Sequence, residues 1–366
     1  MTTMQWCLPL VQGRGAGLGN ELVPWARAYL MAQVLGAHCM KPAFGANARG
    51  YGQHFSTPRT DFAWHRLMAK ALPRVHFGEA DFEQHGGGDV VQAFSRFANA
   101  QGLRDRQPLL VTTDGLWGGL NHIARAREFV RGTLYGSRYA AANLAQQAAR
   151  LNPDALTVAM HVRLGDFATS APNLESYRGR FNCALPLAWF MDIGHQLRAS
   201  FGDAMQFQIF SDGTAAQLAP LQATLNPVDT RCALPTDVSD LLAMSQADLL
   251  VCSVSSYSVW AAALSSSPYL WFGPQMHLHD EGFASIWGHE NRQRQSGSPT
   301  QLAWGAARLA ASAAYPGRAH AMGLAAQLPD RLLQALWRRS GERQRAGDLV
   351  RYGVARLAAD SAIASR

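Results

Sequence analysis

The second half of the chain alternates short apolar runs with amphipathic stretches, and this alternation constrains the fold more than any other feature. Each run ends in polar residues or glycine; the runs are 156–160, 206–210, 248–252 and 269–272. Short apolar runs bounded by turn residues predict buried strands, and helices between them predict parallel connections. The sequence therefore predicts an α/β fold with a doubly wound parallel sheet.

The run at 156–160 leads into a polar cluster made of His161, Arg163, Gly165 and Asp166. Ligands of open α/β sheets bind at the carboxyl ends of strands. Arginine offers a permanent charge and a planar fork that matches phosphate, histidine can stack on a base, and glycine allows close backbone approach. We therefore expect an anionic, nucleotide-like ligand here; the alternative is an exposed Arg–Asp pair of little energetic value.

A second candidate lies near the N-terminus. Residues 6–11 predict a strand, and residues 21–35 have apolar side chains at helical spacing, with Asn20 as the expected N-cap. Between them, every second residue is glycine: Gly13, Gly15, Gly17 and Gly19. The spacing matches neither the dinucleotide fingerprint nor the P-loop. It is compatible with an anion site at a helix N-terminus, or with a tight structural turn.

Other polar candidates also fall at predicted element ends. Ser255 and Ser256 lie between a strand and a helix, where hydroxyls and free N–H groups form either an anion cradle or an ordinary cap. Asp212 follows the run at 206–210, and Asp240 lies in the predicted helix 239–246. A carboxylate can accept two N–H bonds from a guanine edge; taken alone, each is more simply interpreted as a cap or a solvated acid.

The length of 366 residues predicts two domains, 1–150 and 151–366. Residues 45–106 look irregular, whereas 124–150 and the C-terminal third predict helices. The net charge of +7 comes almost entirely from arginine. This charge suits a phosphorylated substrate or an acidic membrane, or reflects a genome that favours arginine. The lack of basic runs interleaved with aromatics and of zinc-finger spacing argues against nucleic acid.

Cysteine usage and terminal composition bear on the compartment. Five scattered cysteines without a CxxC pair predict free thiols in a reducing compartment. The first ten residues lack signal-peptide features, so we expect a cytoplasmic protein. The arginine-rich stretch 331–366 is either a peripheral contact with the inner membrane face or a solvated helix face. His277 and His279 lack a convincing third ligand, so no metal is expected.

Together the motifs resemble one superfamily. A Gly-x-Gly loop precedes a helix, His-x-Arg-x-Gly-Asp follows at 161–166, a strand ends in Ser-Asp at 211–212, and SQADLLVCSVSSYSVWAAAL spans 245–264. This order resembles the GDP-fucose-dependent fucosyltransferases, including the α1,2, α1,6 and protein O-fucosyltransferase groups. The resemblance implies a GT-B fold, in which two Rossmann-like domains face a cleft and helices follow at the C-terminus. It also implies inverting, metal-independent transfer of fucose from GDP-fucose to a hydroxyl of a glycan or glycoconjugate acceptor.

The resemblance further implies roles by position. Arg163 would hold the β-phosphate and stabilise the departing GDP, and Asp166 would take the acceptor proton or orient Arg163. Asp240 would accept N–H bonds from guanine, and His161 would contact the guanosine part. The other expected donor contacts are Gly15, Gly17 and Asn20 from the first domain and Asp212, Ser255 and Ser256 from the second.

The chain also departs from the family pattern. Leu164 stands where many members have a second arginine, and Glu21 stands where the α1,2 group has glutamine. The residues leave two alternatives open: a GT-B transferase that uses another nucleotide sugar, and a non-catalytic module that binds nucleotide or glycan. Acceptor specificity is expected within residues 45–106.

Overall fold

The structure is a computed structural model that describes residues 4–10, 16–117, 120–167, 177, 183–275, 278–279, 282–283 and 318–351. Its strands are β1 (Gln5–Pro9), β2 (His38–Cys39), β3 (Arg74–His76), β4 (Leu109–Thr113), β5 (Leu156–Val162), β6 (Met205–Ser211), β7 (Leu249–Cys252), β8 (Tyr269–Phe272), β9 (Leu278–His279), β10 (Gly282–Phe283) and β11 (Ala319–Met322). Its α-helices are α1 (Leu18–Leu35), α2 (Gly52–Phe55), α3 (Thr60–Ala71), α4 (Glu79–Gln84), α5 (Val90–Ala100), α6 (Arg127–Tyr135), α7 (Ala140–Ala148), α8 (Leu187–Phe201), α9 (Ala215–Leu225), α10 (Asp237–Gln246), α11 (Ser256–Leu264) and α12 (Asp330–Arg351).

Two parallel sheets organise the chain. The first has the strand order β2-β1-β4-β3, and the second has the order β11-β8-β7-β5-β6. A short antiparallel pair joins β9 and β10. Helices lie between the parallel strands, as their connection requires. This confirms the predicted α/β class and the GT-B-like arrangement of two Rossmann-like units.

One apolar core runs through both sheets. It joins Leu22 and Met31 of α1 to Leu241 of α10 and Trp260 of α11. A second core covers the other face of the second sheet, where α8 contributes Trp189 and Phe190. Strand β5 is buried along its whole length, because side chains from its two faces enter different cores.

Helix α1 begins three residues earlier than the sequence predicted. Gly17 is its N-cap, in extended conformation, and the N–H of Asn20 already donates to the carbonyl of Gly17 at 2.9 Å. The prediction of Asn20 as the N-cap is therefore wrong. The glycine-rich stretch concealed the start, because glycine weakens the propensity signal although its backbone can be helical.

Residues 45–106 are not irregular, contrary to the expectation. They contain β3 and four helices, α2 to α5. Phe77, Phe82, Phe94 and Phe97 form the aromatic core beneath them. The predicted helix over 124–150 is divided into α6 and α7, after a 3-10 turn at Leu120–Ala126. Tertiary packing of short elements thus overrode a weak local pattern.

Between the sheets, the chain runs through α6 and α7, and both helices contact α10 of the second unit. The domain boundary near residue 150 lies in the turn before β5 and stays a prediction. In the part of the chain that the structure describes, no helix is both long enough and apolar enough to cross a bilayer.

Candidate functional site

The carboxyl ends of β5, β6 and β7 lie side by side in the second sheet, and hydroxyl groups anchor the end of β5. Ser253, after β7, donates to the carbonyl of His161 at 2.7 Å and accepts from the backbone N–H of Arg163 at 3.1 Å. Ser211, at the end of β6, donates to the carbonyl of Val162 at 2.5 Å. The backbone that carries Arg163 is therefore held from both sides.

Arg163 lies between two carboxylates at this edge. Its Nη1 is 2.6 Å from Oδ2 of Asp212, and its Nη2 is 2.5 Å from Oδ1 of Asp166. The ring of Phe167 lies 5.4 Å from the guanidinium carbon. The Arg163 side chain is 19% exposed, so solvent reaches the charge while the carboxylates fix its direction.

Asp212 also holds the turn that follows β5. It accepts the backbone N–H of Leu164 at 2.9 Å and that of Gly165. Burial raises the pKa of Asp212, but these hydrogen bonds and the charge of Arg163 outweigh burial and hold the pKa below its usual value. A side chain at Gly165 would bring its Cβ to 2.5 Å from Oδ2 of Asp212, so this position requires glycine.

Leu164 has a packing role. It contacts the second core, and a Cβ at Gly213 would meet its Cδ1 at 2.6 Å. The Leu164 side chain thus covers the turn after β6. Since position 164 is apolar, Arg163 is the arginine of the segment 161–166.

Arg49, which the sequence interpretation missed, pairs with the carboxylate of Asp166 from the first unit. Its Nη2 lies 3.0 Å from Oδ2 of Asp166, so Asp166 pairs with arginines from both halves. The backbone N–H of Arg49 donates to Asn47, and Asn47 in turn donates to the carbonyl of Ala16 and to Glu21, each at 3.0 Å. No local pattern marks Arg49, because its partner lies 117 residues away.

The N-termini of α1 and α11 meet beside this ion-pair chain. A Cβ at Gly19 would lie 2.6 Å from the backbone carbon of Ser256, and Trp260 donates to the carbonyl of Gly19 at 2.8 Å. Helix N-termini carry partial positive charge and free N–H groups. The structure thus brings together the two predicted anion cradles.

The remaining predicted donor contacts of these cradles have separate positions. Ser255 is the N-cap of α11 and accepts from the N–H of Tyr257 at 3.2 Å. Gly17 caps α1, and Asn20 lies half-buried in its first turn. Gly15 lies outside the described residues.

His161 lies beneath the surface. Its Nδ1 is 2.5 Å from the hydroxyl of Ser258, and burial, with the nearby charge of Arg163, lowers its pKa to about 3. The ring is therefore neutral at physiological pH. Tyr257 lies 5.4 Å from it, and its hydroxyl donates to the carbonyl of Asp237 at the start of α10. Tyr257 thus connects the end of β5 with the first turn of α10.

Asp240 occupies that first turn. Its oxygens accept from Gln147 at 2.9 Å and from Thr236 at 2.7 Å. Burial raises the pKa of Asp240 to about 6, against the lowering effect of these two donors. Each oxygen retains one lone pair for a further N–H group.

No three metal-ligating side chains cluster among the described residues. His277 lies outside them, so the predicted His-x-His pair has only His279 on a described strand.

Two groups of solved structures are similar to this chain. The structure of POFUT1 in complex with GDP-fucose, in crystal form II, has 15% identity and a TM-score of 0.48, with 75% of this chain and 100% of that chain covered. The fucosyltransferase NodZ from Bradyrhizobium has 12% identity and a TM-score of 0.36, with 72% and 93% covered. No protein-family model and no curated protein matches the sequence significantly.

Proposed function

We propose that this chain is an inverting glycosyltransferase that moves fucose from GDP-fucose to a hydroxyl of a glycan or glycoconjugate acceptor, without a metal ion. The observation that carries the proposal is the guanidinium of Arg163, held by Asp166 and Asp212 at the carboxyl end of β5. The order of the sequence motifs supports GDP-fucose as the donor.

In this proposal, two arginines hold the diphosphate. Arg163 binds the β-phosphate, and Arg49 contributes a second cation from the other unit. Without donor, Asp166 stands in for the anion, because it pairs with both guanidinium groups. The charges of Arg49 and Arg163 then balance those of Asp166 and Asp212. The incoming diphosphate displaces Asp166 rather than Asp212, because Asp212 is less exposed and also accepts two backbone N–H groups. The adjoining N-termini of α1 and α11 add N–H donors and partial positive charge.

Transfer then depends on neutralising the leaving group. As the bond between the anomeric carbon and the phosphate oxygen breaks, its electron pair stays on GDP, and Arg163 stabilises the new charge. The acceptor oxygen bonds to the anomeric carbon from the opposite face, which inverts the configuration, and the hydroxyl proton is lost to water. Asp166 acts as a positioning residue that keeps Arg163 aimed until the donor binds.

The guanine base is assigned to Asp240. Its carboxylate accepts the guanine N1–H and N2–H₂ groups, while Gln147 and Thr236 keep it oriented. A pKa of about 6 leaves Asp240 ionised at neutral pH, as this role requires.

The five cysteines are all free, which supports a reducing, cytoplasmic compartment. Contact of the tail 331–366 with the inner membrane face remains part of this proposal; residues 352–366 lie outside the described ones.

A donor screen tests the proposal. Thermal unfolding is followed with GDP-fucose, GDP-mannose and UDP-sugars, because a ligand of the folded state raises the unfolding temperature. Release of GDP is then measured for each donor that binds. We expect stabilisation and turnover with GDP-fucose. Turnover of another donor alone would overturn the fucose assignment, and binding without any turnover would identify a non-catalytic module.

A further inference from the structure

Helix α3 is unusual among the described helices, because it buries none of its residues. Trp64 is 53% exposed, Leu67 is 55% exposed and Phe62 is 39% exposed. These three account for a large share of the exposed large apolar side chains among the described residues. Since solvent-exposed apolar surface of this extent marks interaction sites, α3 needs an explanation that its own packing does not supply.

Four exposed apolar residues of α3 share one side of the helix, and Phe62 lies off that side beside Arg66. Ala63, Trp64, Leu67 and Ala71 follow helical spacing and all are exposed, whereas Met68 is half-buried. On the protein side, α3 contacts the 3-10 turn Phe44–Ala46. An amphipathic helix normally turns its apolar face to the core, and α3 turns much of it to solvent.

Basic side chains flank this apolar face. Arg59, Arg66, Lys70 and Arg74 are exposed, and Asp61 is the only acidic residue between 59 and 74. Arg66 lies over the ring of Phe62, with 5.8 Å between the guanidinium carbon and the ring centroid. Aromatic and aliphatic residues beside lysine and arginine are the composition of a helix that lies in a membrane interface.

We propose that α3 docks this protein on an anionic lipid bilayer, with Trp64 and Leu67 inserted among the lipids and the flanking basic residues against the headgroups. The charge of the segment favours a lipid surface that carries negative charge. Through the 3-10 turn at Phe44–Ala46, α3 adjoins the stretch that carries Asn47 and Arg49. Docking therefore brings the candidate site close to a membrane surface, where an acceptor attached to lipid lies. The docking itself does not rest on the proposed activity.

Vesicle flotation of the full chain tests the proposal. The vesicles contain phosphatidylcholine alone or phosphatidylcholine mixed with phosphatidylglycerol, at low and at high salt. We expect binding to the mixed vesicles, weakened by salt because ionic strength screens the basic residues. The double variant Trp64→Ser/Leu67→Ser should lower the bound fraction about tenfold or more. Arg66→Glu/Lys70→Glu should have a comparable effect at low salt only.

Matched controls distinguish α3 from other surfaces. Leu234 is 42% exposed and lies outside both α3 and the tail 331–366, so Leu234→Ser removes an exposed large apolar side chain elsewhere, and Arg104→Glu changes an exposed arginine elsewhere. Both control variants should bind vesicles like the unmodified chain. Hydrogen exchange with vesicles should protect residues 60–71.

Four results would overturn the proposal. The first is no binding to either kind of vesicle. The second is binding that Leu234→Ser abolishes while the α3 variants keep it. The third is hydrogen-exchange protection only outside α3, and the fourth is a lipid-free dimer that Trp64→Ser/Leu67→Ser dissociates. The last result would assign the face to a second copy of the chain. Because α3 buries none of its residues, these substitutions leave the fold intact, and unchanged thermal unfolding verifies this.

Discussion

Arg49 and Asp166 form an ion pair of 3.0 Å that joins the two halves of the chain at the carboxyl end of β5. The same carboxylate binds Arg163, so two guanidinium groups from different units converge on one acid. This convergence is what the proposed diphosphate site rests on, because both guanidinium groups already share one anionic partner.

Replacement of Arg49 should weaken diphosphate binding without harming the fold. Both partners of the pair are more than a third exposed, so Arg49→Ala should change the free energy of unfolding by no more than about 1 kcal/mol. The Kd for GDP, measured by calorimetry, should rise about tenfold, while guanosine, which lacks the phosphates, should bind unchanged. Equal losses for GDP and guanosine would place Arg49 outside the phosphate site.

Replacement of Asp166 distinguishes two roles for this residue: an anion that occupies the phosphate position, or a base that takes the acceptor proton. Asp166→Asn removes the competing charge, so GDP should bind about threefold to tenfold more tightly. Because the bound diphosphate displaces Asp166, turnover of the bound donor should change little, and the pH dependence of kcat should keep its shape. Loss of the acidic limb of that profile would instead assign proton transfer to Asp166.

Arg163→Ala should abolish most transfer. Loss of a fixed positive charge at the leaving group reduces kcat by about 10²–10³-fold, measured in single turnovers with GDP-fucose. Arg163→Lys retains a charge but lacks the planar fork, so it should recover only part of the rate. Circular dichroism and thermal unfolding show whether the variants are folded; a folded alanine variant with normal turnover would contradict the assignment.

Binding of GDP should depend on the ionisation of Asp240. As the pH falls from 7.5 through the Asp240 pKa of about 6, the carboxylate gains a proton and loses an acceptor, so the Kd should rise. The phosphate of GDP itself titrates near pH 6, hence the Asp240→Asn variant provides the baseline. A pH dependence identical in the variant and the unmodified chain would exclude Asp240 from the guanine site.

Glu21 should make stability depend on pH. Its side chain is buried beside Asn47, and burial raises its pKa to about 8, against the lowering effect of the Asn47 hydrogen bond. Between the unfolded and folded pKa values the folded state binds the extra proton, so the free energy of unfolding falls as pH rises towards 8 and levels off above it. The slope is at most about 1.4 kcal/mol per pH unit.

The variant Glu21→Gln isolates this contribution. Glutamine keeps the hydrogen bond from Asn47 and carries no charge. The free energy of unfolding of the variant, relative to that of the unmodified chain, should therefore increase from pH 5 to pH 8. Urea unfolding at both values measures the difference. A constant difference between the two proteins would show that Glu21 is ionised in the folded state at both values.

Close packing of Gly19 on Ser256 gives a test of the helix junction. Gly19→Ala introduces a Cβ 2.6 Å from the Ser256 backbone, which should cost about 1 to 3 kcal/mol of stability. Gly17→Ala is the matched control, since a Cβ there meets nothing within 4 Å and its backbone is extended. Equal stability of the two variants would contradict close packing between the N-termini of α1 and α11.

The sequence by itself determined the second parallel sheet and the position of Arg163, Asp212 and Ser256 at element ends. Apolar runs and turn residues express these features locally, within a few residues of one another. The order of the motifs also suggested which positions would act together.

Only the tertiary structure decided the helical content of 45–106, the start of α1 and the contribution of Arg49. Short elements there are stabilised by aromatic packing from distant residues, which local propensity does not report. Leu164 became interpretable through its contact at Gly213, and Arg49 through a carboxylate 117 residues away. Pairs of this kind arise from chain folding, because a hydrogen bond or ion pair depends on distance in space and leaves no periodic trace in the sequence.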